Sequence, residues 1–190
     1  MTRIAVIVGS VRDGSFNRAL GALAVAQLEA HGAAVTVVDL AALDLPIYSA
    51  ALEANAFPAD ALKLKNLLAA QDGLLVVSPE YNGSIPALLK NAIDWASRPT
   101  GDEGPVALTA FRGKAAAIMG ASIGPFGGLR GLIHLRQILG TIQMLVIPDQ
   151  VLVPNAHAAF DEAGQLKEAL PASLVDMTAA RLVAVAAALK

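Results

Sequence analysis

The sequence predicts an α/β fold: a doubly wound, five-stranded parallel sheet in the order 2-1-3-4-5, covered by helices on both faces in a three-layer α/β/α arrangement. Two observations carry this. Apolar runs of strand length recur at Ile4–Val8, Val35–Val38, Leu74–Val77, Ala115–Met119 and Gln143–Ile147, with helix-like stretches between most of them. The runs are also continuous rather than alternating, as in strands buried on both faces of a parallel sheet. Such a sheet binds its ligand at the carboxyl ends of the strands where their order reverses, here strands one, three and four.

The first strand leads directly into GSVRDGSFN, Gly9 to Asn17. In the helix that follows, Leu20, Ala24 and Leu28 recur at i+4 spacing with Leu23 beside them, and Gly32 stands where a helix C-cap belongs. Further helices are predicted over Ala59–Ala70, Pro86–Ser97, Gly128–Leu139 and Lys167–Leu189. Leu45–Pro58 lacks periodicity and Arg98–Gly113 is rich in Gly, Pro and charge, so both are expected to be loops near the site.

With 190 residues, the chain is expected to form one domain, residues 1–190. Its net charge is −2 with no block of Lys or Arg, which argues against nucleic acid or an anionic membrane as partner and leaves small molecules. The absence of cysteine excludes disulfides, thiolate nucleophiles and cysteine metal sites. His31, His134 and His157 have no metal-ligand spacing, and His134 falls on an apolar helix pattern. Arg3 is followed by too short an apolar run for a signal peptide, so a cytoplasmic protein is expected. Apolar residues make up 55%, more than a soluble domain usually carries, which fits a sheet covered on both faces, an oligomer interface, or both.

The strand-to-helix turn Gly9–Asn17 has the chemistry of a phosphate site. Backbone N–H groups at a helix N-terminus lack partners and the dipole there is positive, so an anion is favoured. Ser10, Ser15 and Asn17 add donors, and Arg12 adds a planar fork. A nucleotide P-loop is excluded, because Ser15 stands where its lysine must be and Phe16 where its magnesium-binding hydroxyl belongs. No G-x-G-x-x-G follows the first strand, which argues against a dinucleotide-binding Rossmann site.

Strand three ends in SPEYNGSIPALLKNAIDWASR, Ser78 to Arg98, and strand four in GASIGPFGG. Together with G-S-x-R-x-x-S-x-N in the first loop, these stretches resemble the signatures of the NAD(P)H-dependent FMN reductase family, flavodoxin-like quinone, chromate and azo-compound reductases. The resemblance covers essentially the whole chain. It implies that Ser10, Arg12, Ser15, Phe16 and Asn17 hold the FMN phosphate, that Pro79, Glu80, Tyr81, Asn82 and Gly83 run along the isoalloxazine, and that Ser122 and Gly124 lie near the ring or the phosphate tail. Ser84 would cap the next helix, with Pro86 in its first turn. The cofactor would carry the chemistry, taking hydride from NADPH or NADH and passing electrons to a quinone, a free flavin or a similar acceptor. No side chain need be catalytic, and one open face shared by both substrates implies ping-pong kinetics. The family's dimers or tetramers further imply an oligomer, for which Pro86–Ser97 and Gly128–Leu139 are the expected contact helices.

Two other functions compete. One is a non-enzymatic flavodoxin-like electron carrier, for which a charge of −2 offers no strongly acidic docking face. The other is a serine hydrolase: GASIG satisfies the G-x-S-x-G nucleophile elbow at Ser122, with Asp149 and His157 following in the required order, although no HGGG-type oxyanion loop is present.

Overall fold

The computed structural model describes residues 1–190. In chain order the elements are β1 (Thr2–Val8), α1 (Phe16–Ala30), β2 (Ala33–Val38), a 3-10 turn (Leu40–Ala42), α2 (Ala50–Asn55), α3 (Ala59–Ala69), β3 (Gly73–Val77), α4 (Ala87–Ala96), β4 (Ala115–Ala121), α5 (Leu129–Thr141), β5 (Leu145–Val153), α6 (Ala156–Ala159) and α7 (Ala169–Ala188). All strand pairs are parallel and their order is β2-β1-β3-β4-β5, as the sequence predicts.

The continuous apolar strands face two cores. On one face Ile4, Val6, Leu75 and Val77 pack against α1 and α7. On the other Ala5, Ile7, Leu74 and Val76 pack against α3, α4 and α5. Period-two alternation of the pleat therefore divides one apolar run between two layers. α7 is long and apolar enough in composition to cross a membrane. Its Val175, Ala179, Leu182 and Ala186, spaced three to four apart, form a stripe buried in the first core. Gly32 takes φ +79° just past α1, the left-handed conformation that ends a helix.

Four expectations need correction. β5 runs on to Val153 instead of ending at Ile147, through Pro148, because it is an edge strand on which a missing N–H leaves no partner unpaired. Its register slips there: Ala116 faces Val146 while Ile118 faces Gln150, and the Arg136 guanidinium ties the bulge through the carbonyls of Val146 and Ile147. Leu45–Pro58 contains α2, capped by the Ser49 hydroxyl; none of its residues is buried, so no apolar period marks it. Arg98–Gly113 joins the end of α4 to the start of β4 and therefore reaches the amino ends of the strands, away from the carboxyl edge. Finally, α4 offers no broad apolar contact surface. Its Leu89, Ala92, Ile93, Trp95 and Ala96 are spent on the chain's own core, and Trp95 donates to the Pro46 carbonyl at 2.7 Å.

Candidate active site

Three loops leave the carboxyl ends of β1, β3 and β4 and converge on one cavity of about 290 Å³. Its wall contains Ser10, Arg12, Ser15, Phe16 and Asn17 from the first loop, Pro79, Glu80 and Tyr81 from the second, and Ala121, Ser122 and Ile123 from the third. The sequence missed Ala121 and Ile123, for which adjacency to Ser122 was the available signal. Asn82, Gly83 and Gly124 lie outside this wall.

The first loop is short of acceptors. None of the backbone N–H groups from Ser10 to Asn17 donates a hydrogen bond within the chain, although Gly9 just before them donates to Val77 at 2.8 Å. The Arg12 guanidinium forms no ion pair, whereas Ser15 caps α1 by accepting from the Arg18 N–H. Phe16 stacks on Phe160 with ring centroids 5.8 Å apart, which anchors the first turn of the helix. Unpaired donors gathered at a helix N-terminus can receive an anion.

The Asn17 side chain has another task. Its Nδ2 donates to the Ala121 carbonyl at 2.8 Å and its Oδ1 accepts the Ala121 N–H at 2.9 Å, so the buried amide joins loop one to the end of β4. Its second Nδ2 proton and its backbone N–H remain for a ligand.

In loop two, Tyr81 and Ser84 exchange backbone hydrogen bonds of 2.8 and 3.0 Å across Asn82 and Gly83. Both central residues have positive φ, 52° and 78°, the type I′ turn for which Asn-Gly is preferred. This turn folds Ser84 back onto Tyr81 and removes it from the cap position: α4 has no side-chain cap, and the Ser84 hydroxyl bonds His134 Nδ1 at 3.1 Å. Pro86 correspondingly flanks the helix instead of sitting in its first turn.

Glu80 lines the cavity, but its carboxylate turns to α5, where it accepts the Gly131 N–H at 3.2 Å and pairs with Arg130. It thus caps a helix from another loop, because Gly128 provides no side chain for the purpose. Burial pushes its carboxyl up, but the Gly131 N–H and the Arg130 guanidinium outweigh that and hold it below the usual carboxylate range. The loops also need glycine where they touch: a Cβ at Gly127, already at φ +59°, would lie 2.9 Å from the Val153 nitrogen.

The third loop does not assemble a hydrolase. The Ser122 hydroxyl accepts the Gly124 N–H at 3.2 Å, Asp149 pairs with Arg181, and no hydrogen bond links His157 to either. A nucleophile needs its base within reach, and here the base is absent.

The geometry thus defines a class: a doubly wound α/β protein with a loop of unpaired donors at the topological switch point. The particular family comes from comparison with known proteins. Residues 2–158 match the family model described as NADPH-dependent FMN reductase. The chain is 40% identical to an NAD(P)H-dependent FMN reductase of Pseudomonas aeruginosa over 161 residues, covering 84% of this chain and 82% of that protein. It is 41% identical to a 2-hydroxy-1,4-benzoquinone reductase of a Burkholderia species, covering 85% of this chain and 80% of that one. Among solved structures, the flavoenzyme NAD(P)H:(acceptor) oxidoreductase FerB of Paracoccus denitrificans superposes with a TM-score of 0.83 at 29% identity, covering 99% of this chain and 98% of that chain. The chain belongs to the NADPH-dependent FMN reductase family and is an oxidoreductase.

Proposed function

We propose that the chain transfers electrons from NAD(P)H to a quinone or free flavin, using FMN held at the convergence of the three loops. The run of unpaired N–H groups from Ser10 to Asn17, beside an Arg12 with no partner, carries this reading. A phosphate monoester of charge about −1.5 to −2 is the ligand such a donor set suits. Ser10, Arg12 and the N–H groups of the α1 N-terminus would hold it, with Ser15 and Phe16 fixing the turn.

Pro79 and Tyr81 would flank the isoalloxazine ring, and the N–H groups of Asn82 and Gly83, which have no partner in the chain, would meet its polar edge. The following α4 presents its N-terminus on the same side and would favour negative charge there. FMN supplies hydride acceptance from the nicotinamide and electron delivery to the acceptor. The protein would orient it, hold its phosphate at loop one and leave one face for the substrates. Tyr81, Ile123, Phe126 and Ile133 are exposed apolar side chains on or near these loops, and a second copy of the chain would cover them in a dimer or tetramer.

If one flavin face serves both substrates, reductant and acceptor alternate. Reciprocal plots of rate against NAD(P)H at several quinone concentrations should be parallel, with the quinone inhibiting competitively against NAD(P)H at high concentration. Intersecting lines would mean simultaneous binding and contradict the shared face. A visible flavin spectrum of the purified chain tests the cofactor assignment independently.

A further inference from the structure

The Asn17 amide fills a gap in the sheet. The Ser122 N–H donates to the Val153 carbonyl at 3.0 Å, so Ala121, one residue earlier, turns its own N–H and C=O to the opposite side, toward β3. There β3 has already ended: its pairing stops with Val77 opposite Met119 and with the Ser78 N–H, which donates to the Met119 carbonyl at 2.9 Å. Ala121 is 3% exposed, so without Asn17 both of its backbone groups would be buried and unpaired. The Asn17 side chain takes the place of the missing strand, and only one orientation of its amide does so: reversed, it would set NH2 against N–H and oxygen against oxygen. The second Nδ2 proton is thereby left over on a residue that lines the phosphate cavity.

Resting on the phosphate reading of loop one, we propose that Asn17 is a positioning residue through which a phosphate in that loop fastens the third loop. Its second Nδ2 proton and its backbone N–H go to the phosphate while the same amide holds Ala121. An amide that donates to an anion becomes a stronger acceptor at its oxygen, so the bound phosphate tightens the hydrogen bond from the Ala121 N–H to Oδ1. Ala121 leads directly into Ser122 and Ile123, and all three line the cavity that loop one lines. The phosphate is therefore more than an anchor. It sets the opposite wall of the cavity, and an unphosphorylated flavin leaves that wall unfastened.

The test is amide-proton NMR of the flavin-stripped chain, wild type and Asn17→Ala, titrated with inorganic phosphate at constant ionic strength and separately with FMN. In wild type the Ala121 N–H should shift downfield along the same binding curve as the N–H groups of Ser10 to Phe16, while Ala115 to Ala117 at the other end of β4 keep their shifts. In Asn17→Ala the loop one signals should still titrate and the Ala121 signal should stay in place. A purely structural brace would leave Ala121 indifferent to phosphate in wild type. That result overturns the proposal, and so does a downfield shift of Ala121 that survives in Asn17→Ala. If the variant does not fold, wild type decides: loop one signals that move with either ligand while Ala121 does not overturn the coupling and leave the phosphate site standing. Loop one signals indifferent to phosphate and FMN alike would instead overturn the phosphate reading, and the coupling with it.

Discussion

Between Ser10 and Asn17 a run of backbone donors and the Arg12 guanidinium find no acceptor in the chain, whereas at Lys65, in α3, each ammonium proton has one. Lys65 is 2% exposed and donates to the Arg98 carbonyl at 2.6 Å, to Thr100 Oγ1 at 3.0 Å and to the Glu103 carboxylate. Burial pushes the Glu103 carboxyl up, but the Lys65 ammonium, the Thr109 hydroxyl and the Thr100 N–H together outweigh it and hold it down at about 2. Both regions are polar loops against helices, yet one is complete and the other is not. A satisfied polar cluster is scaffold, and an unsatisfied one at a helix N-terminus is waiting for a ligand.

The largest expected effect lies on the complete side. Lys65→Met leaves Glu103 without its cationic partner and should lower stability by about 3 kcal/mol, read by urea unfolding, with FMN affinity unchanged. A loss of FMN affinity at unchanged stability would erase the distinction between the two regions. On the incomplete side the pattern should invert. Arg12→Ala should leave the unfolding curve of the flavin-free chain in place and weaken FMN by about 1.5 to 3 kcal/mol, because it removes a charge-assisted contact to phosphate.

Glu80 stands between the two cases, lining the cavity while satisfied by α5, and should give the smallest effect. Glu80→Gln should cost about 1 kcal/mol or less at neutral pH, through the weaker interaction with the α5 N-terminus. Because folding depresses the Glu80 pKa, its stabilisation is present above the usual carboxylate range and is lost as pH falls through the lower folded value. The difference in Tm between wild type and Glu80→Gln should therefore shrink in acid. A gap that is constant with pH would place the role of Glu80 elsewhere.

The contrast also marks how far the sequence could be read. Strands, their order and the donor-rich turn were legible because each is a local pattern: apolar runs, or donors crowded at one strand-to-helix junction. The Asn17 tie to β4 was not legible because its partner, Ala121, is 104 residues away and nothing local marks an amide that also holds a backbone. Glu80 and Arg130 escaped for the same reason. Ser84 was misplaced because a Ser two residues before Pro86 looks like a cap, and only the type I′ turn at Asn82–Gly83 turns it away. Arg98–Gly113 had the composition of a functional loop, but its Glu103 carboxylate, Thr100 hydroxyl and Arg98 carbonyl serve Lys65. Sequence shows which polar groups exist; only packing shows which of them are already paired.

The central claim is that loop one exists to hold a phosphate. It is tested most directly by titrating the flavin-stripped chain with FMN and with riboflavin, which differ by that phosphate alone. Even two charge-assisted contacts predict FMN binding tighter by about a hundredfold or more. Equal affinity for the two would mean that the unpaired donors from Ser10 to Asn17 do not meet a phosphate, and would contradict the account.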